Sequence, residues 1–455
     1  MNNASTNWNE NEEQAELLIP LLGRLQRDKR ITLKMFGRPL SGLTVVEILK
    51  LHKYTRHVLG TALNPATTLQ LAQLVLELSA SGHTIDIGEL SQHPNPAAFF
   101  EHQAAVSGDR QPIILYGFGR IGRLVARILL ANPNGPELKA IVVRKAAEND
   151  LEKRANLLRR DSVHGRFNGT ISIDLELNRI IANGNAIQVI YSTDPSTVDY
   201  ESFGITNALV IDNTGIWRDE VGLAKHLESK GVSRVLLTAP GKAPLKNIVF
   251  GVNDSDVLPA DKIVSAASCT TNAITPVLKV VNDRFGVQFG HVETVHSYTN
   301  DQNLIDNFHK GDRRGRSAAL NMVITETGAA VAVAKALPEL EGKLTGSSIR
   351  VPTPNVSLAI LNLHLLKPTS VAELNQVLRT ESISGALRSQ LDFTDSSEVV
   401  SSDFIGNDRA AIVDALATIA NDTRVVLYVW YDNESGYSHQ VVRLATSMGE
   451  QLQTC

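Results

Sequence analysis

Cys269 is the residue of this chain whose type and surroundings most clearly indicate chemistry. It lies in the run Ser-Cys-Thr-Thr-Asn at residues 268–272, and the other cysteine is Cys455 at the C-terminus. The polar cluster and the apolar stretch leading to Pro276 predict that Cys269 lies in the first turn of a helix, where backbone N–H groups and the helix dipole favour a thiolate. A small buried hydrophobic side chain is the alternative interpretation, and the run alone does not decide between them.

His296 is the candidate base for this nucleophile. It lies in the run Thr-Val-His-Ser-Tyr-Thr-Asn-Asp-Gln at residues 294–302. A catalytic cysteine needs a group that accepts the thiol proton and later handles protons at the substrate oxygen. The chain has twelve histidines, so a chance pairing is easy and the spacing by itself gives little support.

A glycine-rich loop is the third feature of the sequence that indicates function. Residues 111–116 form a run that predicts a buried strand. Residues 117–123 read Gly-Phe-Gly-Arg-Ile-Gly-Arg, and an apolar helix is predicted at 124–130. In this context Gly117 makes the turn, Gly119 lets the backbone approach a pyrophosphate, and Gly122 lets the helix pack on the strand. A tight turn without a ligand is the alternative. The cofactor-binding residues predicted from the loop are Gly117, Phe118, Gly119, Arg120, Ile121 and Gly122.

From the glycine loop to the C-terminus, the chain resembles the glyceraldehyde-3-phosphate dehydrogenase family. The segments that carry the resemblance occur in the family's order, at 116–123, 161–165, 239–242, 268–272, 296–302, 350–357 and 430–438. The resemblance implies an α/β architecture with two domains. A Rossmann NAD(P)-binding domain spans 111–268 and is completed by 436–455. A catalytic domain with an antiparallel sheet spans 269–435.

The resemblance implies a role for each matching residue. Cys269 would attack the aldehyde carbon, and His296 would pair with it as an imidazolium and then assist hydride transfer to the nicotinamide. Phosphate would release the resulting thioester as an acyl phosphate. The sequence thus predicts phosphorylating oxidation of glyceraldehyde 3-phosphate to 1,3-bisphosphoglycerate, reversibly, in glycolysis or gluconeogenesis. The further cofactor-binding residues implied are Thr214, Gly215, Thr238, Asn433 and Tyr437.

Two anion pockets follow from the resemblance, one for the substrate phosphate and one for inorganic phosphate. The first matches Thr299, Asp301 and Arg350. Arginine suits such pockets because its planar fork binds phosphate oxygens in pairs. The second pocket matches Ser268, Thr270, Arg314, Thr327 and Gly328.

The adenosine end departs from the pattern of NAD-using relatives. Those proteins have an acidic residue after the second strand, which holds the ribose hydroxyls. Here the strand at 139–143 runs into Arg144 and Lys145, and Glu148 and Asp150 come later. Basic residues would bind a 2′-phosphate, so we predict that NADP is accepted as well as NAD. A loop that brings Glu148 back to the ribose is the alternative.

Other functions stay open at this level. Erythrose-4-phosphate dehydrogenase shares the implied fold and the Cys/His pair. A non-catalytic scaffold or redox sensor could also use a dehydrogenase shell, with a reactive Cys269 open to oxidation.

Composition favours an ordinary globular enzyme. The hydrophobic content is 43%, the charged content 20% and the net charge −4, which indicates neither a nucleic-acid partner nor a membrane partner. Two cysteines give no disulfide framework, and the N-terminus has no signal-like apolar segment, so we expect a cytoplasmic location. The sequence shows no metal-binding motif.

Residues 1–110 precede the family-like region. Apolar residues recur at helical spacing in 12–25 and 44–59, and Asn64-Pro65 is a typical helix start. We expect an all-α extension that packs on the dehydrogenase or a neighbouring subunit, or else docks a protein partner. The resemblance also implies a homotetramer in which residues 311–319 reach a neighbouring subunit.

Overall fold

The structure is a computed structural model that describes residues 2–59, 63–78, 82, 84–96, 110–325 and 327–453. The chain forms two compact units, Met1–Arg110 and Gln111–Cys455. Within the described part of the chain, no helix is both long and apolar enough to cross a membrane.

Helices dominate the first unit, as predicted. Asn64 caps the third helix by accepting a 2.9 Å hydrogen bond from the Thr67 N–H, and Pro65 is its first residue. Three short strands were not predicted, because two to four residues are too few for a periodic signal. They form a sheet in the order β2-β1-β3 over an apolar core of their own. The elements are α1 (Asn2–Lys29), β1 (Thr32–Met35), β2 (Arg38–Pro39), α2 (Val45–Leu59), α3 (Pro65–Glu77), β3 (Thr84–Asp86) and α4 (Ile87–Leu90).

The first half of the second unit is a Rossmann fold. Its elements are β4 (Pro112–Tyr116), α5 (Arg120–Ala131), β5 (Glu137–Val143), α6 (Asp150–Arg159), the hairpin β6 (Arg160–Asp161) and β7 (Gly165–Arg166), β8 (Ile171–Asp174), β9 (Arg179–Ala182), β10 (Asn185–Tyr191), β11 (Ala208–Asp212), α7 (Glu220–Ala224), β12 (Val232–Leu237) and β13 (Ile263–Ser265). The sheet order is β13-β12-β11-β4-β5-β10-β9-β8. The first six strands in this order, from β13 through β12, β11, β4 and β5 to β10, are parallel. Their carboxyl ends therefore form one edge where a dinucleotide can bind.

The second half is built around a mixed sheet. Its elements are α8 (Cys269–Phe285), β14 (Val287–Ser297), β15 (Val323–Thr325), α9 (Ala329–Ala336), β16 (Leu344–Val351), β17 (Ser357–Leu365), α10 (Val371–Ser384), β18 (Leu391–Thr394), β19 (Ala411–Asp414), β20 (Ile419–Asn421), β21 (Arg424–Tyr431) and α11 (Ser435–Gln453). The sheet order is β15-β16-β14-β17-β21-β19-β18, with β20 paired to β21. Helix α8 packs on this sheet, which places Cys269 beside its strands.

The C-terminal helix returns to the Rossmann half. Tyr437, Val441, Leu444 and Met448 of α11 lie in the same apolar core as α5 and β4. The chain therefore crosses from the catalytic sheet to the cofactor sheet immediately after residue 433.

Candidate active site

Cys269 is the first residue of α8, as the sequence predicted. Ser268 caps the helix, because its hydroxyl oxygen accepts a 3.0 Å hydrogen bond from the Thr271 N–H. Ala267, immediately before the cap, has a φ of +56°, so the chain turns sharply into the helix. The cap and turn hold the partly buried thiol at the positive end of the helix dipole.

His296 lies near the end of β14 and meets Cys269 across the helix–sheet junction. Its Nε2 is 3.6 Å from the Cys269 Sγ, and its Nδ1 is 2.7 Å from the Ser297 carbonyl oxygen. When Nδ1–H donates to that carbonyl, the lone pair of Nε2 faces the thiol. The structure thus brings together the two residues that were predicted to form the catalytic pair.

Arg350 completes the group from the neighbouring strand β16. Its Nη1 lies 2.8 Å from the His296 Nδ1 and donates a 2.8 Å hydrogen bond to the Ser297 carbonyl oxygen. The guanidinium is therefore next to the imidazole, and its positive charge acts on both members of the pair.

The protonation states differ from the sequence expectation. Burial raises the pKa of the Cys269 thiol, an effect that the Arg350 charge partly opposes. Burial, together with the Arg350 charge, lowers the pKa of His296 to about 3. These shifts favour a neutral thiol and a neutral imidazole, whereas the family resemblance implies an imidazolium–thiolate pair. His296 is consequently placed to remove a proton from the thiol rather than to hold a preformed thiolate.

Contacts within the protein link predicted phosphate-binding residues of the two pockets. Arg350 lies 3.4 Å from the Thr299 hydroxyl, which is hydrogen-bonded to Asp301. Asp301 forms an ion pair with Arg314. Arg314 was assigned to the second pocket, yet it is bonded here to a member of the first.

The other residues of the second pocket surround the start of two helices. Thr270 follows the nucleophile, and its hydroxyl is 3.0 Å from the Tyr431 hydroxyl. Gly328 precedes α9 with no side-chain cap, and Thr327 accepts a 3.2 Å hydrogen bond from the Ala329 N–H. Helix α9 packs against α8, so both helix N-termini supply backbone N–H groups that suit an anion.

The glycine loop has the geometry that its sequence predicts. Gly117 has a φ of +93°, and a Cβ on Gly122 would lie 2.5 Å from the Gly117 carbonyl oxygen. A Cβ on Gly119 would meet nothing within 4 Å, and α5 starts there without a side-chain cap. The loop therefore has a tight turn, a close helix contact and an open face of backbone N–H groups, which fits a dinucleotide pyrophosphate.

The adenosine end keeps its basic character. Strand β5 ends at Val143, so Arg144 and Lys145 follow it directly and are exposed. The Asp150 carboxylate is already paired within the protein, because it accepts a hydrogen bond from the Ala146 N–H and forms an ion pair with Arg154.

The remaining predicted cofactor residues lie at the carboxyl ends of strands or at the chain crossing. Thr214 and Gly215 follow β11, and Thr238 follows β12. Asn433 Oδ1 accepts a 2.9 Å hydrogen bond from Ser357, and the Tyr437 hydroxyl donates to the Ala267 carbonyl oxygen at 3.0 Å.

Sequence reasoning missed the residues that position these groups. Ser357 accepts a 3.1 Å hydrogen bond from the Ser297 N–H, so it links Asn433 to the strand of His296. The side chain of Arg120 pairs with Asp161 and Glu434, and its contact with the cofactor stays a prediction. These three residues lie in three separate segments that carry the family resemblance, and only the fold shows that their charged side chains meet.

Comparisons with known proteins agree with this geometry. Residues 111–220 match the family described as glyceraldehyde 3-phosphate dehydrogenase, NAD binding domain. Residues 268–433 match the corresponding C-terminal domain. A "Glyceraldehyde-3-phosphate dehydrogenase-like protein" of Pseudomonas aeruginosa (strain UCBPP-PA14) is 56% identical over 451 residues, which cover 95% of this chain and 98% of that protein.

Two other relatives match about three quarters of this chain and nearly all of their own length. "Glyceraldehyde-3-phosphate dehydrogenase 1" of Bacillus subtilis (strain 168) is 42% identical over 331 residues, 72% of this chain and 95% of that protein. "Glyceraldehyde-3-phosphate dehydrogenase" of Zymomonas mobilis subsp. mobilis (strain ATCC 31821 / ZM4 / CP4) is 40% identical over 346 residues, 75% of this chain and 99% of that protein.

Proposed function

The chain belongs to the glyceraldehyde-3-phosphate dehydrogenase family, and we propose that it oxidises glyceraldehyde 3-phosphate to 1,3-bisphosphoglycerate through a thioester on Cys269. Membership makes it an oxidoreductase with an NAD-binding Rossmann domain and a small-molecule substrate. The observation that carries the proposal is the 3.6 Å contact between the Cys269 Sγ and the His296 Nε2.

The proton movements follow from this contact. As Sγ adds to the aldehyde carbon, its proton passes through Nε2 to the aldehyde oxygen and gives a thiohemiacetal. His296 then accepts the hydroxyl proton while the hydride leaves carbon, and a thioester remains. A nicotinamide held by the glycine loop and the Asn433 segment would serve as the hydride acceptor. Attack by inorganic phosphate on the thioester carbon breaks the C–S bond and forms the acyl phosphate. Sγ leaves with the electron pair and recovers the proton held by His296.

Positive charge near the thiol supports two anionic reactants. Arg350 lies beside His296, and Arg314 is connected to it through Thr299 and Asp301. Backbone N–H groups at the starts of α8 and α9 add donors. We propose that these groups hold the substrate phosphate and the attacking phosphate.

Initial rates of cofactor reduction test the reaction. With glyceraldehyde 3-phosphate, we expect turnover that requires inorganic phosphate and falls at least ~1,000-fold in Cys269→Ala, as is usual when a nucleophile is removed. Turnover without phosphate would contradict the phosphorylating step. Turnover only with erythrose 4-phosphate would move the assignment to the related dehydrogenase, and inactivity with both aldehydes would favour a scaffold or redox sensor.

We also propose that NADP is used, because Arg144 and Lys145 follow β5 where a carboxylate would bind the ribose in an NAD-specific site. The double variant Arg144→Asp/Lys145→Ser should lower the NADP-to-NAD ratio of kcat/KM at least ~10-fold, since it removes charge-assisted bonds to the 2′-phosphate.

The control for this variant is Lys367→Asp, which changes an exposed lysine in the catalytic half. It should leave the ratio unchanged. An unchanged ratio in the double variant would show that the two basic residues do not face the 2′-phosphate.

The cytoplasmic location and the homotetramer expected from the sequence stay predictions.

A further inference from the structure

A buried histidine outside the catalytic pair lies next to the predicted cofactor segment. His226 is 1% exposed, and its Nε2 is 3.0 Å from Oδ2 of Asp212, which is 0% exposed. Asp212 is the last residue of β11, at the edge of the sheet formed by the carboxyl ends of the parallel strands. Neither residue has a part in the chemistry proposed above.

The carboxylate of Asp212 fixes the turn that follows the strand. Its Oδ1 accepts hydrogen bonds from both the N–H and the hydroxyl of Thr214, each at 2.7 Å. Its backbone oxygen accepts from the N–H and the hydroxyl of Thr238, each at 3.0 Å. One residue thus orders two segments that are predicted to contact the dinucleotide.

The same turn touches the glycine loop. A Cβ on Gly117 would lie 3.0 Å from Cγ2 of Thr214 and 3.3 Å from its backbone nitrogen. The Thr214 segment and the loop are therefore packed against each other, and a shift of Thr214 would reach the pyrophosphate-binding backbone.

Aromatic rings hold the imidazole in place. The ring of Tyr116 lies 4.7 Å from that of His226, and the ring of Trp217 lies 5.8 Å from it, both nearly perpendicular. Among the described residues, the His226 Nδ1 has no hydrogen-bond partner. A buried donor left unpaired costs more than an unpaired acceptor, so the tautomer with its proton on Nε2, donating to Asp212, is favoured.

We propose that His226 is a positioning residue for the dinucleotide cofactor, which acts through Asp212 on Thr214 and Gly215. Its Nε2–H offsets part of the cost of burying the Asp212 carboxylate and keeps that carboxylate turned towards Thr214. The inference rests on the proposed placement of Thr214 and Gly215 at the cofactor.

Calorimetric titration of the full-length protein with NAD and with NADP tests the proposal without an aldehyde. His226→Leu removes the donor, and His226→Gln keeps an N–H at a similar distance. We expect His226→Leu to weaken binding of the preferred dinucleotide about tenfold, the factor for one lost hydrogen bond to a charged group. His226→Gln should stay within about threefold of the unmodified protein, because its amide can donate to Asp212.

Steady-state rates separate positioning from a merely structural role. In His226→Leu the KM for the dinucleotide should rise with its dissociation constant, while kcat and the KM for the aldehyde change less than about twofold. The matched control is His52→Leu, which removes another buried histidine, held by Ile48 and Thr68 in the first unit. It should leave dinucleotide binding unchanged.

Several results would overturn the inference. Equal weakening by the Leu and Gln variants would show that the donor does not matter, and unchanged binding in both would show that His226 does not matter. If His226→Leu does not fold, the Gln variant and Asp212→Asn remain, and Asp212→Asn must weaken binding. If Thr214→Val leaves binding unchanged, the placement of Thr214 is wrong and the inference fails with it.

Discussion

Cys269 combines a position that favours ionisation with surroundings that oppose it. The start of α8 and the Arg350 charge stabilise a thiolate, whereas burial raises the thiol pKa by more. Burial also keeps His296 neutral, with a pKa of about 3. We propose that the proton leaves sulfur during addition to the substrate, so that catalysis depends on the 3.6 Å contact rather than on a standing charge.

The pH dependence of thiol alkylation tests this state. In a Cys455→Ser background, the rate with iodoacetamide should still rise with pH at about pH 9, above the usual thiol pKa of about 8.5, because only the thiolate reacts. Arg350→Leu should slow alkylation at every pH below the thiol pKa, since it removes the charge that lowers that pKa.

Arg313→Leu is the matched control for this experiment, because Arg313 is an exposed arginine of the loop that holds Arg314. It should leave the alkylation profile unchanged. A plateau reached below about pH 7 in the unmodified protein would instead indicate a preformed thiolate.

At the scale of elements, the starts of three helices form much of this site. α8 carries the nucleophile, α5 presents the glycine loop, and α9 starts after Gly328 without a side-chain cap. Each leaves backbone N–H groups without intrahelical partners, and we propose that all three face reactants or cofactors that carry negative charge. The strands supply the side chains between them, His296 from β14 and Arg350 from β16.

Two glycine substitutions separate folding from binding in the loop. Gly122→Ala should destabilise the protein by about 2 kcal/mol or more, because its Cβ would lie 2.5 Å from the Gly117 carbonyl oxygen. Gly119→Ala should change the melting temperature little, since its Cβ would meet nothing within 4 Å, yet it should weaken dinucleotide binding at least ~10-fold by occupying the open face. Thermal melts and calorimetric titration measure the two effects, and full binding by Gly119→Ala would place the pyrophosphate elsewhere.

At the scale of the whole molecule, every residue proposed for the chemistry lies in Gln111–Cys455. The Bacillus subtilis relative matches 331 residues over 95% of its own length, which leaves no room for a counterpart of the first unit. The Pseudomonas aeruginosa relative covers 95% of this chain and therefore extends into the first unit. We propose that the two units have separable roles and that the first serves assembly or a protein partner.

Deletion of residues 1–110 tests this division. The shortened protein should keep kcat/KM within about twofold, because every residue proposed to contact the transition state lies in the second unit. Light scattering after size-exclusion chromatography compares the assembly of the two forms, and the proposed homotetramer should persist if the second unit alone forms it. Loss of turnover together with loss of the tetramer would show that the extension is part of the dehydrogenase assembly.

The sequence by itself determined the features that depend on residues close together in the chain. The helix start at Cys269, the cap of α3 at Asn64 and the turn at Gly117 all depend on side chains and backbone groups a few residues apart, so their chemistry is visible in the chain. The resemblance added the family, the Rossmann fold and the residues expected at the site.

Only the tertiary structure decided which distant residues meet. Arg314 is bonded to Asp301, Arg120 reaches Glu434, and His226 reaches Asp212. These contacts depend on how strands and helices far apart in the chain pack, and no local pattern encodes that packing. Burial is likewise a property of the fold, which is why the neutral state of Cys269 and His296 could not be foreseen from residue types alone.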